Sequence, residues 1–213
     1  MTSWKVKLVD SIIGLSPEKL VLLIQYGSRD STSDSDYLAI YDGFSMIDNL
    51  KVGRLDIVAL SRDVLTRYMN LMDPMITEPL LKGNRIFGDS KYLKTSLDKL
   101  NQIRPTDAVI RFLLCRSTQQ YIEAYNISIE ENDMNKRLSR RFWSALSFSI
   151  SYWCFASHYQ LTHSHAISLF ELLQSMPTPM TKIWNAVIDS KKCGNSPSLN
   201  ALTDWARFLI RTP

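Results

Sequence analysis

The sequence has no run of about 18 or more apolar residues, the length that a membrane-spanning helix needs, so no membrane span is expected. Its first residues, Met1-Thr2-Ser3-Trp4-Lys5-Val6-Lys7, lack the long apolar core of a secretory signal. Cysteine is scarce. Cys115, Cys154 and Cys193 are odd in number and widely spaced, which argues against a disulfide frame or a zinc site and for reduced thiols in a cytoplasmic protein. Histidine is equally sparse: His158, His163 and His165 straddle a helix end and a loop without carboxylate or Cys partners, so they do not read as a metal site. Nor does one charge dominate. A net charge of +4 is too small to argue for nucleic acid by itself.

What is present divides in two. The chain of 213 residues is long enough for one large domain or two small ones. Residues 1 to 96 carry 12 basic and 12 acidic side chains, whereas residues 97 to 213 carry 13 and 9, so the whole positive excess lies in the second part. The first part reads as short apolar runs separated by turn residues: Leu20 to Tyr26, then a run ending at Asp42, then Arg54 to Leu60, and a last short strand around Arg85-Ile86-Phe87. Residues 4 to 13 read as a short helix or extended arm, Phe44 to Leu50 as a connector or edge segment, and Ser61-Arg62-Asp63 as a helix start. Pro74 and Pro79 are expected to break that helix. The second part keeps the i, i+3, i+4 rhythm of amphipathic helices over residues 107 to 127 and 137 to 160, with shorter patterns at 164–175, 180–190 and 199–210. The fold class expected is α+β, a small mixed sheet (1–96) followed by an all-α up-and-down bundle (97–213).

The most informative stretch is Tyr26-Gly27-Ser28-Arg29 through Ser33-Asp34-Ser35-Asp36-Tyr37-Leu38-Ala39-Ile40-Tyr41-Asp42. Asp34 and Asp36 are two residues apart at the start of a strand and therefore share a face. Their mutual repulsion is tolerable if a cation sits between them, and ligands that are all oxygen suggest a hard one such as Mg²⁺. Asp56, in Arg54-Leu55-Asp56-Ile57-Val58-Ala59-Leu60, adds a third carboxylate if that strand pairs beside the first.

Gly-Ser, a short loop, Asp-x-Asp, a hydrophobic strand and a lone Asp in a later strand resemble the nucleotidyltransferase superfamily of DNA polymerase beta, in particular its minimal and kanamycin-type members. The segment departs from that pattern in its short Ser28-to-Asp34 spacing and in Ser35, which stands where an apolar residue is usual. An alternative alignment takes Asp36 as the first carboxylate and Leu38 in place of the second, which would describe an inactive relative; the strand length up to Asp42 favours Asp34 and Asp36. The resemblance implies transfer of a nucleoside monophosphate, most simply AMP from ATP, to a hydroxyl acceptor with release of pyrophosphate. It implies two Mg²⁺ ions held by Asp34, Asp36 and Asp56, and phosphates gripped by Gly27, Ser28 and Arg29.

In the helical part the resemblance is one of layout only. Glu123, on the first long helix, is a candidate base because some related antibiotic-modifying enzymes place a Glu there. No Arg stands four to six residues before a His, so this part does not look like the RNase-bearing helical domains that accompany minimal nucleotidyltransferases. Lys136, Arg137, Arg140 and Arg141 read as a solvated face, or as groups that reach a triphosphate or RNA. Ser144, Ser147, Ser149 and Ser151 read as small packing residues. The acceptor is open between an antibiotic-like small molecule, tRNA and a protein side chain, and the oligomeric state is open, a homodimer included. The alternative is a degraded nucleotidyltransferase-like module that binds a nucleotide or partner through its helices.

Overall fold

The computed structural model describes residues 20–27, 35–43, 48–52, 55–104, 106–130, 141–142, 144–152 and 178–192, together with 204 and 207. Two compact units emerge: the described residues up to Met72 and from Ile76 to Ile103 form one, and Asp73–Met75 with those from Arg104 onward form the other.

The first unit is built on five strands, β1 (Leu20–Tyr26), β2 (Ser35–Tyr41), β3 (Asp48–Val52), β4 (Leu55–Ser61) and β5 (Asn84–Gly88). They lie in the order β3-β4-β2-β1-β5. β2 and β4 run parallel and every other pair is antiparallel, so the sheet is mixed. Central strands covered on both sides lose the apolar-polar alternation and become continuously apolar, and β2 does so: Tyr37, Leu38, Ala39, Ile40 and Tyr41 are all buried. One face gathers Leu20, Leu23, Tyr37, Ala39, Tyr41, Ile57 and Ala59 into a single cluster. β3 overlaps the stretch read as a connector or edge segment; its pairing with β4, from Asp48↔Ala59 to Val52↔Leu55, makes it an edge strand.

Three helices complete this part of the chain: α1 (Arg62–Asn70), α2 (Pro74–Lys82) and α3 (Ser90–Leu100). Ser61 caps α1 by accepting the Val64 amide at 3.2 Å, and Asp89 caps α3 by accepting that of Lys91 at 2.8 Å, each satisfying an amide that the helix leaves without a carbonyl. α1 ends where Met72 turns left-handed at φ 52. The prolines act differently from expectation. Pro74 opens α2 at its first position, where a missing N–H costs nothing, and Pro79 sits inside the same helix and does not end it. α2 forgoes one amide bond there and stops four residues later, where the Gly83 amide bonds the Pro79 carbonyl at 2.8 Å. No helix was read at 90–100, where α3 carries Tyr92, Leu97 and Leu100.

The second unit contains α4 (Asp107–Glu130), helical residues at 141–142 and 144–152, and α5 (Thr178–Lys192). Val109, Leu113, Ser117, Gln120, Ala124 and Ile127 recur at helical spacing along α4 and are all buried. Phe142, Ala145, Leu146, Phe148 and Ile150 are buried as well, and Phe112 meets Phe148 edge to face at 6.2 Å. No helix among the described residues is long and apolar enough to cross a membrane. The expected segments 4–13 and 164–175, most of 199–210, and His158, His163 and His165 lie outside the described residues.

Candidate active site

The β2/β4 pairing decides which carboxylates meet. Its register runs without a break from Ser35↔Leu55 to Tyr41↔Ser61, and its second rung is Asp36↔Asp56. Residues at the same level on neighbouring strands share a face and stand about 4.8 Å apart along the backbone. Two carboxylates 20 residues apart in sequence are thus brought side by side, both half-buried. Two like charges 4 Å apart repel by about 1 kcal/mol through water and about 4 kcal/mol at an effective dielectric of 20, a term that a divalent cation between them reverses.

β1 extends this rung by one strand: Tyr26 pairs with Asp36 across the antiparallel β1/β2 ladder. Gly27 follows at φ 83, a left-handed conformation that side chains disfavour. A Cβ built on Gly27 would overlap the Asp36 carboxylate, so the turn passes directly against that group. Glycine is required here twice over, for its backbone angle and for the room it leaves the carboxylate. On the far side, Lys51 of β3 stands at the register position opposite Asp56. The rung therefore reads Lys51, Asp56, Asp36, Tyr26 across four adjacent strands. Asp34, Ser28 and Arg29, named from the sequence, lie outside the described residues, and among the described ones no three His, Cys, Asp or Glu side chains gather.

Asp36 and Asp56 suit Mg²⁺ in donor chemistry: hard, anionic oxygen on adjacent strands of one sheet, with the Gly27 turn packed against one of them.

Glu123 belongs to the second unit. Its Oε1 accepts from Gln119 Nε2 at 3.1 Å and its Oε2 pairs with Arg141 Nε at 3.1 Å, so both oxygens are engaged. Arg141 also donates to Gln120 at 3.1 Å, which links α4 to the 141–152 helix. With Leu114, Cys115, Thr118, Gln119 and Ile122, Glu123 lines an open groove of about 510 Å³. Buried serines in this unit bond to one another and to backbone: Ser117 meets Ser149, and Ser149 donates to the Ala145 carbonyl at 2.7 Å.

Three residues are not marked by local sequence. Tyr26 and Lys51 join the rung only through strand pairing, which neither residue's local context reveals. Asp73 is a buried carboxyl, 2% exposed, and burial pushes it up to about 6, against the Met75 amide that it accepts at 2.9 Å and the charge of Arg116. Its position just before Pro74 marks it in sequence as a helix cap, but nothing local announces its burial.

No protein-family model matches the chain, and no curated protein does. Among solved structures it is similar to a nucleotidyltransferase-like protein from Exiguobacterium sibiricum 255-15, with a TM-score of 0.44 and 13% identity over 97% of this chain and 74% of that one.

Proposed function

We propose that the protein is a Mg²⁺-dependent nucleotidyltransferase that moves a nucleoside monophosphate, most simply AMP from ATP, to a hydroxyl acceptor. The observation that carries this reading is the level pairing of Asp36 and Asp56 on parallel strands, with the Gly27 turn against the Asp36 carboxylate. Asp36 and Asp56, with Asp34 before them in sequence, would hold the metal ions. When bound, Mg²⁺ supplies charge neutralisation for the triphosphate and lowers the pKa of the acceptor hydroxyl.

The chain's own residues do the rest. The Gly27 backbone, followed in sequence by Ser28 and Arg29, offers donors to the outer phosphates. The rigid β2/β4 ladder fixes the two carboxylates before substrate arrives, so no reorganisation is needed at the moment of reaction. The acceptor oxygen forms a bond to the α-phosphorus as the bond from that phosphorus to the bridging oxygen breaks. The electron pair leaves with pyrophosphate, and the hydroxyl proton is released to a base or to water.

The test is a label-transfer assay in a cell extract with Mg²⁺, comparing α- with γ-labelled nucleotides for the natural chain and Asp36→Asn. Label from the α position alone is expected, reduced about 10³-fold in the variant, with an unchanged far-UV spectrum. Partition of the label among RNA, protein and small molecules names the acceptor. Undiminished labelling by Asp36→Asn would sink the assignment of the carboxylates. Absence of label from any of the four nucleotides favours the binding-module reading or an acceptor that the extract lacks, such as an antibiotic.

A further inference from the structure

At the opposite end of the same ladder from the two aspartates stands a second charged pair. Asp42 follows Tyr41 directly and Arg62 follows Ser61, so they lie just past the last rung, Tyr41↔Ser61. Arg62 Nε lies 2.6 Å from Asp42 Oδ1, and its terminal nitrogen donates to Oδ2 at 3.0 Å, a two-pronged fork on the carboxylate. The guanidinium also lies over the ring of Tyr92 on α3, 4.8 Å from its centroid. Burial pushes the Tyr92 phenol up, against the lowering effect of Arg62.

Little else marks the register between these strands. β2 and β4 are not joined by a tight turn: β3 comes between them in sequence, and β4 inserts between β3 and β2 in the sheet. Hairpin geometry therefore does not fix their alignment, as it does for neighbours linked by two residues. Their inner residues, Tyr37 to Ile40 beside Ile57 to Leu60, are apolar, so a slip by two residues keeps every side chain on its face and still sets part of this run against apolar neighbours. Such a slip would carry Asp36 about 6.6 Å past Asp56, and repulsion between the two carboxylates favours it. The fork resists it, because paired N–H···O bonds to a carboxylate form only when both groups are level.

We propose that Asp42 and Arg62 are positioning residues that lock the β2/β4 register and so hold Asp36 level with Asp56. The lock rests on the nucleotidyl-transfer reading only for its effect on the metal site; the register itself does not depend on that reading. The pair is itself exposed, and an ordinary exposed ion pair would do neither, since most contribute little; it is the two-pronged geometry that sets this one apart.

The full chain is compared with Arg62→Lys, which keeps the charge and loses the fork, and with Asp42→Asn, which approaches the pair from the other partner. Amide hydrogen exchange is read by NMR over Tyr37–Tyr41 and Ile57–Leu60, with β1 and β5 as internal reference, and Mn²⁺ binding is titrated in the same samples. In both variants exchange is expected to quicken about fivefold in β2 and β4 while β1 and β5 stay unchanged, and Mn²⁺ affinity is expected to fall by a similar factor. Unchanged exchange, or acceleration spread evenly over all strands, would overturn the lock. Mn²⁺ affinity equal to that of the natural chain would overturn the positioning role. If the natural chain itself binds no Mn²⁺, the metal reading fails and the exchange pattern alone decides the lock.

Discussion

Polar residues do different work in the two units. In the sheet unit the interior of the central strands is apolar on both faces, and the charged groups stand at the two ends of one parallel ladder, Asp36 and Asp56 at its start and Asp42 and Arg62 past its finish. In the helical unit buried polar groups find partners: Ser117 with Ser149, Gln120 with the half-exposed Arg141, Asp73 with the Met75 amide. Burying such groups is tolerable only when each finds a partner. The contrast teaches where a substitution should register. Polar changes in the sheet unit should be felt in the chemistry, and polar changes in the helical unit in stability.

Gly27→Ala is the strongest way to break this contrast. The new methyl would meet the Asp36 carboxylate and force a left-handed backbone on alanine. Turnover should fall by about 10²–10³-fold, while urea unfolding should show a loss of only about 1–2 kcal/mol. A stability loss with turnover intact would mean that the glycine serves the fold and not the site.

Asp73 tests the other side. Its pKa in the folded chain is raised to about 6 from an ordinary 3.8, so the folded state favours the protonated carboxyl. The associated stability is fully present below the unfolded-state value near 4 and is lost as pH rises through about 6, a swing of about 3 kcal/mol at most. The urea midpoint of the natural chain should therefore fall across that window. Asp73→Asn, which keeps a side-chain oxygen for the Met75 amide, should flatten the fall. An equal slope in both proteins would remove Asp73 as its source.

The smallest expected effect lies on the border of the two behaviours. Ser61 is buried, ends β4 and caps α1. Ser61→Ala should destabilise by about 1 kcal/mol, measured by urea unfolding, with turnover nearly unchanged. A larger loss of turnover than of stability would show that the end of β4 tunes the ladder, as its neighbour Arg62 does in the lock.

Parts of this design were legible in the chain itself. The apolar runs that become β1, β2 and β4 end at turn residues, and Gly27 and Asp36 stand where local pattern placed a turn and a strand start. α4 was legible for the same reason, since 24 residues with buried positions at helical spacing leave few alternatives. α3 and β3 were not. α3 is 11 residues and β3 only five, too short for periodicity to separate them from connectors. Pro79 misled because a proline removes one hydrogen bond, and a helix already held by packing tolerates that loss.

The sequence by itself determined the type of each local element and supplied the chemistry: carboxylates at strand starts, a glycine before them, a fork-bearing Arg at a helix start. Those properties depend on residues within a few positions of one another. Tertiary structure alone decided that Asp56 is level with Asp36, that Lys51 and Tyr26 stand at the flanks of that pair, and that Arg62 meets both Asp42 and Tyr92. These are pairings between residues 5 to 30 positions apart on different strands and helices. They are set by which ladder buries the most apolar surface with every backbone group bonded, and no local stretch of chain carries that sum.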